Sequence, residues 1–183
     1  VSPKAQLEQL VLHNNRIGPL GMGTLAKALS HNGSLTHLDV RSNRGGSTGG
    51  RFIGDALRQN GRLRHLALSD NAMGNHGVLH IALSLRENSV LESLALRGNQ
   101  VTDAGVMWLA QELKRNHGLH SLDLSDNPVS DVGVAALARS LARQNTLSRV
   151  DLLQTNASAT AMAALTNSLA EYTTTARDPP PPP

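Results

Sequence analysis

The sequence predicts an α/β solenoid: six 28-residue units of strand, turn, helix and turn, stacked into a horseshoe arc with a parallel sheet inside and helices outside. Two periodicities predict it. The pattern LxxLxLxxN starts at Leu7, Leu35, Leu63, Leu91 and Leu119, and in looser form at Leu147, so five successive spacings are identical. Behind it, apolar or small residues recur at i, i+3, i+4 and i+7, which is one face of an amphipathic helix.

The strand half of each unit carries apolar residues two apart, as in Leu38 and Val40 or Leu66 and Leu68, because successive strand side chains point to opposite faces. The helix half repeats four columns. They are Met22, Gly50, Val78, Val106, Val134 and Met162; Leu25, Ile53, Ile81, Leu109, Leu137 and Leu165; Ala26, Gly54, Ala82, Ala110, Ala138 and Thr166; and Leu29, Leu57, Leu85, Leu113, Leu141 and Leu169. One unit cannot bury its own apolar face, so neighbours must stack into a continuous core. Helices are wider than strands, so the stack bends with its sheet inside.

Asn15, Asn43, Asn71, Asn99 and Asn127 follow the strands at a fixed place. A carboxamide both donates and accepts, so a column of them suits turn backbone that has left the sheet, and a structural role is expected. A second column, Asn32, Asn60, Asn88 and Asn116, ends with Tyr172, and Thr155 replaces the first-column Asn in the last unit. An atypical last unit is how a solenoid ends. Residues 7–174 form the expected repeat domain and 175–183 a proline-rich tail or linker. The first strand, expected over Leu7–Leu12, has no polar cap before it, so residues 1–6 read as the end of a preceding repeat or a truncated cap.

The segments "LHSLDLSDNPVSDVGVAALARSLARQN" and "LESLALRGNQVTDAGVMWLAQELKRN" resemble the ribonuclease-inhibitor class of leucine-rich repeat, as found in NOD-like receptors, Ran GTPase-activating protein and tropomodulin. The resemblance spans Leu7 to Tyr172. It implies an intracellular, cytoplasmic horseshoe that binds a protein partner through its concave face, without chemistry or a cofactor of its own. Three alternatives stay open: the regulatory repeats of a NOD-like receptor, a cytoskeletal scaffold joined to a proline-rich segment, and a GTPase-activating protein of the Ran type. The last carries an acidic tail in its family, whereas this chain ends in proline.

Composition narrows the chemistry. With no cysteine, disulfides, thiolate zinc sites and a cysteine nucleophile are excluded. No apolar run approaches the ~20 residues of a membrane span. The net charge of +3 is spread over helices and loops, and three aromatic residues offer little base stacking, which argues against nucleic acid.

On the concave face, residues between the leucines include seven acids and four arginines, a mildly acidic surface on a basic chain. The partner-binding candidates there are His13, His37, Asp39, Arg41, His65, Asp70, Arg97, Asp123, Asp126, Arg149 and Asp151. His37 and His65 share a position on adjacent strands, with Asp39 and His13 near them. On the convex side Phe52, His80 and Trp108 share one helix position, a candidate aromatic ridge or three rings packed in helix grooves. In the tail, Arg177, Pro180 and Pro183 fit RxxPxxP, so Pro179–Pro183 resembles an SH3 ligand as well as a linker.

"NRGGSTGGR" at Asn43–Arg51 has the glycine spacing of a phosphate loop. Arg51 stands where such a loop needs Lys, and Phe52 where it needs Ser or Thr. Its strand–loop–helix context is what every unit supplies. Gly45, Gly50 and Gly54 replace larger packing residues, so an underpacked, mobile turn is expected after the second strand.

Overall fold

The computed structural model describes residues 6–141 and 146–175, with side chains to residue 170. The expected preceding element at residues 1–5, the Tyr172 side chain and the tail at Pro179–Pro183 lie outside the described residues. Strands and helices alternate: β1 Gln9–Val11, α1 Gly18–His31, β2 His37–Asp39, α2 Gly46–Gln59, β3 His65–Ala67, α3 Gly74–Leu85, β4 Ser93–Ala95, α4 Asp103–Leu113, β5 Ser121–Asp123, α5 Asp131–Leu141, β6 Arg149–Asp151 and α6 Ala159–Thr175. The six strands form one parallel sheet in sequence order. Each residue pairs with the one 28 positions on, as Leu38 with Leu66 and Leu94 with Leu122.

Each strand is three residues long, shorter than the apolar pattern of the sequence allows. Its central residue points inward: Leu38, Leu66, Leu94 and Leu122 are at most 2% exposed. Ile53, Ile81, Leu109 and Leu137 meet them from the helices and are fully buried. At the ends of the stack Leu10 and Leu169 are only partly covered, because each has a neighbouring unit on one side.

The turn after each strand is closed by the first Asn column. The Asn71 amide donates to the carbonyls of Val40, Leu68 and Ser69, at 2.9, 2.9 and 3.1 Å. Its Oδ1 accepts from the backbone N–H of Asn43 (3.2 Å) and Gly45 (3.1 Å). Asn99 and Asn127 repeat the arrangement one and two units further on. Asn43, Asn71 and Asn99 are completely buried, whereas Asn15, in the first unit, is exposed and bonds only to Leu12 and His13.

The second Asn column closes the opposite turn. Asn88 donates to Leu57 O and Asn60 O and accepts from the N–H of Val90 and Leu91, so one side chain ties a helix end, its neighbour and the next strand. A third column joins the helix starts. Asp103 accepts from Ser130 N (2.8 Å), Ser130 Oγ (2.6 Å) and Gly133 N (3.0 Å), and Asp131 does the same for Ser158. The helix of one unit is thereby capped by the unit before it.

The glycine-rich second unit is not underpacked. Gly45, Gly49, Gly50 and Gly54 are all buried. The Met22 side chain fills the space over Gly45 and Gly49; a Cβ on either would stand 3.3 Å from it. Gly50 and Gly54 let two helix backbones touch: a Cβ on Gly50 would lie 2.7 Å from the Gly77 Cα, and one on Gly54 2.6 Å from the His80 carbonyl oxygen. The missing side-chain volume is taken up by the approach of α3.

Urea unfolding tests these contacts. Gly54→Val is expected to destabilise by ~1–3 kcal/mol, opposite to the gain an underpacked site would show. Leu94→Ala should cost ~2–5 kcal/mol, and Asn99→Leu, which strands several buried backbone groups, about 3 kcal/mol or more.

Candidate functional site

The sheet face turned away from the helices is where side chains are free to differ between units. Parallel register aligns them in two columns: Gln9, His37, His65, Ser93, Ser121 and Arg149, and beside them Val11, Asp39, Ala67, Ala95, Asp123 and Asp151. His37 and His65 stack, with ring centroids 4.2 Å apart and planes 24° from parallel. Thr36 Oγ1 lies 2.8 Å from His37 Nδ1, but the same hydroxyl is within reach of Glu8 O at 3.1 Å, which makes it a strand-edge link rather than an activated nucleophile.

Partial burial, then the neighbouring His37, hold the His65 imidazole below its usual range. On Asp39 the hydrogen-bonding Arg41 guanidinium keeps the carboxyl below the usual carboxylate range, against partial burial and with a smaller contribution from His13. Arg41 holds Asp39 through Nε at 2.9 Å and Nη2 at 2.6 Å, and His13 Nδ1 is 3.3 Å away.

The other arginines of the face are also engaged. Arg64 pairs with Glu92, Arg97 with Asp126, and Arg149 Nε with Asp151 at 2.9 Å. Among the described residues, three of the seven acids have no ion pair: Glu8, Asp70 and Asp123. Asp70 begins the turn after β3 in a left-handed conformation (φ 56°) and leans over Gly98, where any side chain would collide with its carboxylate.

Between the charged groups lies a notch of about 250 Å³. Its lining includes Val11, His37, Asp39, His65, Ala67, Ser93 and Ala95. The sequence places these alanines on the face without marking them. The signal was the loss of side-chain volume at one position in two successive units, which only matters once the register makes them adjacent.

The convex candidates do not form one ridge. Phe52 packs into the groove above Gly23, under the Arg51 guanidinium 4.5 Å from its ring centre. Trp108 meets His76 of α3 edge-on at 6.4 Å rather than His80. Among the described residues no ring contact joins Phe52, His80 and Trp108, and the first and last are partly buried against the core.

Known proteins share both the pattern and the architecture. The family profile described as "Leucine Rich repeat" matches residues 62–82, 87–110 and 115–138. The third, fourth and fifth units are leucine-rich repeats. The solved structures similar to this chain have the same repeating strand–helix fold. One is "Leiomodin-1 Actin-Binding Site 2 (ABS2)", with a TM-score of 0.73 and 20% identity over 83% of this chain and 89% of that one. Another is the tropomodulin C-terminal domain of Caenorhabditis elegans, with a TM-score of 0.63 and 11% identity over 95% and 89%. No curated protein matches the chain significantly in sequence. Among the described residues no helix is long and apolar enough to cross a membrane.

A base held below its free value in the folded protein loses stability when it must take a proton. The contribution of His65 is therefore complete above about pH 6.5 and fades as pH falls through its folded midpoint. In an NMR titration His65 is expected to titrate below about 6.5, and His37→Asn should move its midpoint upward; a wild-type midpoint above the free value would contradict the stacked geometry.

Proposed function

We propose that the chain is a non-catalytic protein-interaction module whose partner docks on the open face of the sheet, centred on the notch over Ala67 and Ala95. The observation that carries this reading is the notch itself. It is apolar surface left open on the face beside the Asp39–Arg41, Arg64–Glu92 and Arg97–Asp126 pairs. An interface needs such a desolvated centre with a polar rim. Of the candidates, His37, Asp39 and His65 line it, Arg41 is paired with Asp39, Asp123 is the register partner of Ala95, Asp70, Arg97 and Asp126 lie in or near the turns after β3, β4 and β5, and His13, Arg149 and Asp151 belong to the first and last units.

The similar leiomodin-1 structure is that of an actin-binding site, which supports the cytoskeletal reading over the receptor and GTPase-activating ones and makes actin the first partner to test. An intracellular location accompanies the proposal, in keeping with a chain free of cysteine. The SH3-type contact of the proline tail remains part of the scaffold reading.

A photo-crosslinking phenylalanine analogue at Ala67, compared with the same group at Arg86 on an exposed helix end, tests the face. Incubated with filamentous actin and, separately, in cells, the Ala67 derivative is expected to give a discrete protein adduct and the Arg86 derivative none. An adduct from Arg86 alone would move the interface to the helices.

A further inference from the structure

The notch and the charges around it define the kind of segment that fits. Resting on the strand-face reading above, we infer that the partner presents one large apolar side chain flanked within about three residues by lysine or arginine, the side chain entering the notch over Ala67 and Ala95. The volume of about 250 Å³ suits one aromatic or branched aliphatic group and not a packed helix. The stacked imidazoles of His37 and His65 and the exposed Val11 are among its lining, together with Asp39, and give an aromatic or aliphatic group apolar surface to pack on.

Charge sets the flanks. All four arginines of the face are spent on Asp39, Glu92, Asp126 and Asp151, so they are not free to bind an acidic partner. The carboxylates of Asp70 and Asp123 have no cation within ion-pair distance among the described residues, although Arg41 also feels the Asp70 charge; Asp123 lies one strand beyond the notch and Asp70 in the turn after β3. Asp123 is the register partner of Ala95, one strand away at ~5 Å. Asp70 lies three residues beyond Ala67, in the turn that follows β3. An extended segment advances ~3.3 Å per residue, so a basic residue one to three places from the anchor reaches one carboxylate or the other. Glu8, the third unpaired acid, extends the negative field toward β1. Partial burial and the neighbouring His37 lower the His65 pKa, which works against a positive charge facing such a segment.

The probe is a library of random twelve-residue peptides displayed on phage, selected on the immobilised intact chain at low salt and re-assayed as synthetic peptides. Enriched peptides are expected to carry Trp, Phe, Tyr or Leu next to Lys or Arg. Ala67→Arg, which fills the notch, should weaken them ~10-fold or more, and Asp70→Asn with Asp123→Asn ~3–10-fold, with loss of most of their salt dependence. Both variants should keep the wild-type melting temperature, since the altered side chains face solvent.

Three results overturn the inference. Enriched peptides that are acidic or lack an anchor, yet are lost in Ala67→Arg, refute the partner class while leaving the strand face as the interface. Enriched basic, apolar peptides that bind Ala67→Arg normally refute both. An absence of enrichment refutes the notch as a preformed peptide site, and the crosslinking experiment then decides the face independently.

Discussion

A backbone that turns out of a sheet inside a protein leaves its N–H and C=O groups without partners, and one carboxamide per unit answers this. Asn71, Asn99 and Asn127 each donate to three carbonyls and accept from two amides, and the partners belong to two successive units. Their own carbonyls do further work: Asn71 O receives the N–H of Gly46 and Asn99 O that of Gly74, at 2.8 Å each. These amides lie at helix starts that lack a side-chain cap of their own. Buried polar groups this fully paired tolerate little change in spacing, because an inserted residue would break bonds in its own unit and the next. The 28-residue period is the length that keeps the column in line.

Everything on the sheet face follows from that alignment. The residue just before each ladder Asn is left-handed, from Asn14 and Ser42 through Asp70, Gly98 and Asp126, so the chain leaves every strand in the same direction. With backbone geometry fixed, neighbouring units differ only in the side chains they present. Two histidines in line become a stack, two alanines become a notch, and an acid beside an arginine becomes a pair. Specificity in such a scaffold is assembled one position at a time on a surface that does not itself adjust.

The period, the six helices and strands and the Leu columns were legible because each is a repeated local pattern, and repetition corrects for the ambiguity of any one copy. The adjacency of His37 and His65 was legible for the same reason, since equal position means neighbouring strand. Interactions that cross units diagonally were not. Asp103 caps a helix 27 residues later, and Arg97 turns to Asp126 rather than to a group on its own strand. The sequence also reads a glycine as missing volume. At Gly54 it cannot say whether that volume stays empty or is filled by a neighbouring backbone, because the answer depends on how closely α3 approaches. The strands themselves are short, but the apolar pattern continues through Val40 and Leu68, whose side chains pack inward and whose N–H groups still bond the next unit, at Ala67 O (3.0 Å) and Ala95 O (2.9 Å).

The close approach at Gly50 and Gly54 bears on the site through the shape of the stack. Strand spacing is fixed at ~4.8 Å by hydrogen bonds, while helix spacing, ordinarily 8–10 Å, depends on the side chains between the helices. The difference between the two spacings is what bends the solenoid. Between α2 and α3 glycine meets backbone directly, so no side chain there holds the two helices apart. The strands joined there are β2 and β3, which carry His37 and His65. The small residues of the second helix and those of the strand face therefore lie on opposite sides of the same stretch of core. The glycines that resembled a phosphate loop set how closely the outer layer packs between the second and third units.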